Sequence, residues 1–145
     1  MKNIIIASDH GGFELKEELK NYLIEKGINT KDVGITVKES VDYPDMAEAL
    51  AKEVLADSEA KGLLVCGTGI GISIAANRFK GIRAALVHDA FGARMCREHN
   101  NANVIVLGGR TTGIEVAKEC LDIFLSTNFS GDRHERRVNK IDNLG

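Results

Sequence analysis

Short apolar runs alternate along this chain with stretches in which apolar residues recur every three or four positions. Ile4-Ile5-Ile6-Ala7 is apolar at every position, as a strand buried on both faces requires. From Phe13 to Lys26 the period changes. Leu15, Leu19, Tyr22 and Leu23 fall on one helical face, and Gly27 is placed to stop the helix. Residues 29–33 predict a second, weaker strand. Pro44 sits where a helix would begin, with Ala47, Leu50 and Val54 along one face. Leu63-Leu64-Val65-Cys66, Ala84-Ala85-Leu86-Val87 and Val104-Ile105-Val106-Leu107 predict three more buried strands. A helix is expected after each: through about Arg78, from about Ala90 to His99, and from about Ile114 to Leu125. A basic stretch from Arg133 to Ile141 predicts one more. This order implies an α/β fold, a five-stranded parallel sheet with helices on both faces and an extra C-terminal helix.

Ligands in such a sheet bind beyond the carboxyl ends of the strands. Ser8-Asp9-His10, Cys66-Gly67-Thr68, His88-Asp89 and Gly108-Gly109-Arg110 stand there. The nucleotide readings of these turns fail. A dinucleotide fingerprint needs a third glycine where Ile72 stands, and no phosphate-loop stretch of the G-x-x-x-x-G-K type exists. A low-molecular-weight tyrosine phosphatase would place an arginine six residues after its cysteine, again at Ile72. A receiver domain would need an aspartate where Cys66 stands.

Composition narrows the classes further. At 145 residues, 43% hydrophobic and 28% charged, the chain suits one soluble domain spanning residues 1–145. Its net charge of -2 offers no basic excess for nucleic acid. The longest apolar runs are too short for a membrane span. Cys66, Cys96 and Cys120 form no CxxC pair, and no HxxxH or carboxylate cluster offers a metal site. An odd cysteine count without a signal peptide leads us to expect a reducing, cytoplasmic setting.

What remains is a small anion-binding turn with reactive neighbours. Gly67 to Gly71 joins a strand to a helix, and its N–H groups suit a phosphate or an enediolate oxyanion; a tight turn needing small residues explains the glycines equally well. Cys66, at a strand end before a helix, is expected to have a lowered pKa and to serve as base or nucleophile. Cys120, at helical spacing from Ala117 and Phe124, and Cys96 read as inert core. Asp9 reads as a helix cap or a site carboxylate, and His99-Asn100-Asn101 as a helix C-cap. Arg133 and Arg137 share a helix face; spacing alone favours a solvated basic face over a phosphate clamp.

Four blocks, in order, resemble type B ribose-5-phosphate isomerase: Ser8-Asp9-His10-Gly11-Gly12, the CGTGIGISIAAN run from Cys66 to Asn77, Arg94 through His99-Asn100, and Gly131-Asp132-Arg133-His134 through Arg137-Val138. The likeness runs from Ile4 to about Ile141. The family also holds allose-6-phosphate and galactose-6-phosphate isomerases. The resemblance implies a Rossmann-like three-layer αβα sandwich, a homodimer or tetramer with active sites shared between subunits, a sugar-phosphate substrate, no cofactor, and a place in the pentose phosphate pathway. It implies Cys66 as the base moving a proton between C1 and C2. Members that use a glutamate instead carry it near Gly71 to Ser73, where this chain has no acid. Thr68 and the backbone of Gly67, Gly69, Ile70 and Gly71 would hold the enediolate, and His99 would open the furanose ring. Asp9 would lie near the sugar oxygens and Asn100 would touch the substrate. Arg133 and Arg137 would hold the phosphate, with His10 and Arg110 nearby. His88 and His134 flank the inferred site without an assigned role. A non-catalytic sugar-phosphate sensor on the same sheet is the rival reading; it leaves Cys66 unexplained.

Overall fold

The structure, a computed structural model, describes residues 3–145. In chain order it contains β1 (Ile4–Ser8), a 3-10 turn (His10–Gly12), α1 (Phe13–Glu25), β2 (Thr30–Asp32), α2 (Tyr43–Leu55), β3 (Lys61–Cys66), α3 (Ile70–Ala76), β4 (Ala84–Leu86), α4 (Ala90–Glu98), β5 (Val104–Gly108), α5 (Ile114–Ser126) and α6 (Arg133–Asp142). The five strands form one parallel sheet in the order β2-β1-β3-β5-β4.

Strand alternation sorts the core into two sides. Ile4, Ile6, Leu63, Val65, Ile105 and Leu107 face Leu15, Leu19 and Leu23 of α1, Ala93 and Cys96 of α4, and Leu121 and Phe124 of α5. Ile5, Ala7, Leu64, Cys66, Val104 and Val106 face Ala47, Leu50 and Val54 of α2 and Ile72 and Ala76 of α3. Leu19, Leu23 and Phe124 are fully buried and stabilise the fold by about 1.5–3 kcal/mol apiece. The result is the three-layer αβα sandwich. Cys96 and Cys120 are core residues, and burial pushes the Cys96 thiol up to about 11.

Three features differ from expectation. β2 is a short edge strand, exposed at Lys31 and only partly buried at Thr30 and Asp32, because only one neighbour pairs with it. His10–Gly12 forms a 3-10 turn that no apolar period announces. Lys16 is fully buried: its ammonium donates to Asp32 at 2.6 Å, Glu17 at 2.7 Å and the Ile35 carbonyl at 2.6 Å. These three acceptors offset the desolvation of the charge.

The helix α6 lies outside both layers. Arg83, which precedes β4, donates to Asp142 near its end at 3.0 Å, and His134 near its start stacks on His99. The Arg83 backbone N–H in turn donates to Oδ1 of Asn103, the residue before β5, at 2.8 Å. α6 therefore spans the amino end of the sheet.

Candidate active site

At the carboxyl end of the sheet three loops meet. Register places Cys66 beside Gly108. The Gly109 N–H donates to the Cys66 carbonyl at 2.8 Å and the Arg110 N–H to the Gly67 carbonyl at 2.9 Å. A Cβ on Gly11 would stand 3.0 Å from the Gly67 nitrogen, and one on Gly109 would stand 2.9 Å from the Gly11 carbonyl oxygen. These contacts leave no room for side chains, so glycine is what lets the β1, β3 and β5 loops close on one another.

Within this group Cys66 is buried, and its Sγ accepts the Gly69 N–H at 3.2 Å. Gly69 sits at φ +80°, the left-handed region that glycine enters without strain. That turn swings its N–H back onto the sulfur. Thr68 is exposed and its Oγ1 accepts the Ile70 N–H at 3.2 Å. Asp9 is buried and accepts from Gly11 at 2.9 Å and Gly12 at 3.2 Å, both on Oδ1. It is thus a cap, as one sequence reading held, and its Oδ2 lies outside that cap. Nδ1 of His10 accepts the Val41 N–H at 3.4 Å, which turns Nε2 away from the loop. The Arg110 side chain runs alongside Gly67 and remains exposed. Asp9, His10, Cys66, Gly67, Thr68, Gly69, Ile70, Gly71 and Arg110 therefore belong together.

His99, Asn100, Arg133 and Arg137 do not join them. Every strand runs the same way, so α4 begins near the carboxyl end and returns to the amino end before β5 starts. His99 is the C-cap of α4, five residues before Val104. The length of β5 alone separates the two ends by about 16 Å. His99 instead stacks on His134 of α6, with ring centroids 4.1 Å apart and planes 12° from parallel. Arg133 and Arg137 flank His134 on α6 and are exposed. Burial pushes the His134 imidazole below its ordinary value, and His99, Arg133 and Arg137 push the same way. A hollow of about 590 Å³ lies at this end too, lined by Arg83, Ala85, Asn100 and Asp142 among others and by no residue of the Cys66 group.

One residue and one contact escaped the sequence reading. Tyr43, at the start of α2, lies against Gly71 so closely that a Cβ there would come within 2.6 Å of its ring; a tyrosine at a helix start carries no periodic signal. The contact of His134 with His99 joins helices far apart in sequence and is equally silent. His88 is exposed at the end of β4, on the carboxyl side.

The described residues contain no group of three or more His, Cys, Asp or Glu side chains able to hold a metal, and no helix long and apolar enough to cross a membrane.

The chain is similar to known proteins over nearly its whole length. A family profile described as Ribose/Galactose Isomerase matches residues 4–141. Ribose-5-phosphate isomerase B of Escherichia coli is 43% identical over 141 residues, covering 97% of this chain and 95% of that protein. The crystal structure of a ribose 5-phosphate isomerase from Thermotoga maritima superposes with a TM-score of 0.95 at 55% identity, covering 98% of each chain. Ribose-5-phosphate isomerase B from Mycoplasma genitalium, solved with bound ribulose-5-phosphate, has a TM-score of 0.94 at 42% identity, covering 97% of this chain and 94% of that one.

Proposed function

The chain belongs to the ribose/galactose isomerase family, as a type B ribose-5-phosphate isomerase, and from that premise we propose that it interconverts ribose 5-phosphate and ribulose 5-phosphate with Cys66 as base and His99 opening the ring. It is an aldose–ketose isomerase; the sensor weighed from the sequence has no support among its relatives.

The observation that carries the residue roles is the buried Cys66 thiol facing the Gly69 N–H at the meeting of three glycine loops. The reaction moves one proton from C2 to C1 and one from the C2 hydroxyl to O1 of the same sugar, with no net oxidation and no cofactor required. A thiolate removes the C2 proton and returns it to C1. Thr68 and the backbone of Gly67 to Gly71 hold the enediolate oxygen as its charge develops. Asp9, through Oδ2, faces the sugar hydroxyls, and His10 and Arg110 border the same opening. Before that step His99 shuttles a proton between the C1 hydroxyl and the ring oxygen, freeing the aldehyde. Asn100 helps to hold the sugar, and Arg133 with Arg137 grips the phosphate.

Those last four residues stand at the opposite end of the sheet from Cys66, so one chain holds two halves of two sites. We infer that the working enzyme is a homodimer, or a tetramer made of two such dimers, in which the amino end of one subunit meets the carboxyl end of its partner. Exposed apolar residues near the carboxyl end support this: Ile70 (54%), Ile74 (62%) and Phe91 (64%) offer a surface a partner would cover. The reaction would place the chain in the pentose phosphate pathway. Three free, buried thiols suit a reducing cytosol.

Incubation with ribose 5-phosphate, followed by ketose absorbance, tests the activity; production of no ketose overturns it. The family name includes galactose, so a six-carbon sugar phosphate is the second reading. A higher kcat/KM for allose 6-phosphate or galactose 6-phosphate than for ribose 5-phosphate would favour it.

A further inference from the structure

One imidazole at the amino end takes no part in the reaction just described. His134, the second residue of α6, is 8% exposed, and its ring lies flat on His99 at 4.1 Å. Val138, one turn further on, is buried as well, while Arg133 and Arg137 are exposed. α6 thus buries its imidazole and leaves Arg133 and Arg137 exposed. The charged and titratable groups facing His134 are His99 from α4 and Arg133, Arg137 and Asp132 from its own helix.

Two imidazoles stacked this closely repel each other strongly if both are charged. Burial first, then the stacked His99 ring and the Arg133 and Arg137 guanidinium groups, work against a charge on His134, and Asp132 alone works for one. A dianion seated on Arg133 and Arg137 offsets their positive field and favours a charged imidazole. We propose that His134 is a positioning residue for His99, and that the stacked pair takes up one proton from solvent when a phosphate seats on Arg133 and Arg137. His99 then becomes an acid only with a phosphorylated sugar in place, and an unphosphorylated pentose finds the pair uncharged. This inference rests on the proposed phosphate clamp.

Sulfate, a dianion that does not titrate near neutrality, is the probe. The C–H resonances of His99 and His134 are followed by NMR from about pH 5 to about pH 9, a window that spans an ordinary histidine. In the wild-type protein, saturating sulfate should raise both midpoints together by about one pH unit, a ten-fold gain in proton affinity. Arg137→Ala should abolish the response. In His134→Phe, which keeps a flat ring but removes one proton site, His99 should titrate higher without sulfate and respond less to it. The same variant should move the pH profile of kcat for ribose 5-phosphate and leave that for ribulose 5-phosphate in place. Ribulose 5-phosphate has its C5 oxygen esterified and stays open-chain, so it needs no ring opening. Sulfate that perturbs the α6 resonances but leaves both histidine midpoints unmoved overturns the proposal and spares the clamp. Sulfate that perturbs nothing on α6 removes the clamp, and the proposal with it.

Discussion

The two ends of the sheet are built by different means. The carboxyl-end group is almost all backbone: glycine loops touching at van der Waals distance, short-range N–H bonds onto Cys66, Thr68 and Asp9, and strand register setting Cys66 beside Gly108. The amino-end group is almost all side chain: a helix C-cap histidine, a stacked partner and two exposed arginines on a helix outside the sandwich. The first is arranged to stabilise charge that develops at a fixed point, where preorganised dipoles serve best. The second suits the phosphate grip and proton transfer proposed for it, since long side chains and imidazoles reach a mobile anion and move protons well. On the proposed roles, neither end is a complete site.

The largest effect should come from Cys66→Ala. Loss of the base should lower kcat by about a hundred-fold or more, with KM nearly unchanged because the phosphate grip is intact. Near-normal turnover would place the base elsewhere. His99→Asn should cost some tens of fold with ribose 5-phosphate and much less with open-chain ribulose 5-phosphate, since general acid–base help is withdrawn from ring opening alone. Equal losses in both directions would remove His99 from that role. Arg137→Ala should raise KM by about ten-fold, the loss of one charge-assisted hydrogen bond of roughly 1.5–3 kcal/mol.

Mixing two impaired variants, assayed at substrate well below KM where Arg137→Ala keeps about a tenth of the rate or less, sharpens the comparison most directly. Cys66→Ala damages only the carboxyl end and Arg137→Ala only the amino end. If each site joins opposite ends of two subunits, a mixed dimer has one site with both lesions and one with neither. Random exchange of equal amounts should then restore about a quarter of wild-type activity. No recovery, once exchange is demonstrated by mass-tagged subunits, would return both halves to one chain.

The smallest effect on activity concerns Lys16. Burial works to raise the Asp32 carboxyl, but hydrogen bonds from Lys16, the Gly34 N–H and Lys20 together outweigh it and hold the group below its ordinary value. Stability from this carboxylate is therefore fully present above the ordinary aspartate range. It is lost as the pH falls through the lower folded-state value. Lys16→Met should cost about 3 kcal/mol by removing the buried cation of this cluster and leaving Asp32 only Lys20 and the Gly34 N–H, and should weaken the acid-dependent drop in melting temperature. Turnover at neutral pH should hold, because the ion cluster touches neither half of the site. A drop in kcat would mean that α1 and the Cys66 loop are coupled.

Much of this protein was legible in its order of residues. Uniformly apolar runs such as Ile4 to Ala7 and Val104 to Leu107 can only be strands buried on both faces, and the helical periods between them dictate a parallel sheet. The carboxyl-end group followed, because strand ends and short glycine turns are local: the residues that meet around Cys66 each lie within a few positions of a predicted strand. The short edge strand β2 and the buried Lys16 were less legible, since exposure at a sheet edge and burial of a charge depend on neighbours, not on local pattern.

The amino-end group could not be built this way. His99 and His134 lie 35 residues apart on different helices, and nothing in either segment announces their contact. The resemblance to known isomerases named His99, Arg133 and Arg137 but said nothing of the end of the sheet they occupy. Local order determined the strands, the helices and the loop around the thiol, because hydrogen-bonded turns and periodic burial act over a few residues. Tertiary structure alone decided that Cys66 and His99, the proposed base and ring-opening group, stand a strand's length apart, because the direction of each helix relative to the sheet is set only when the core packs.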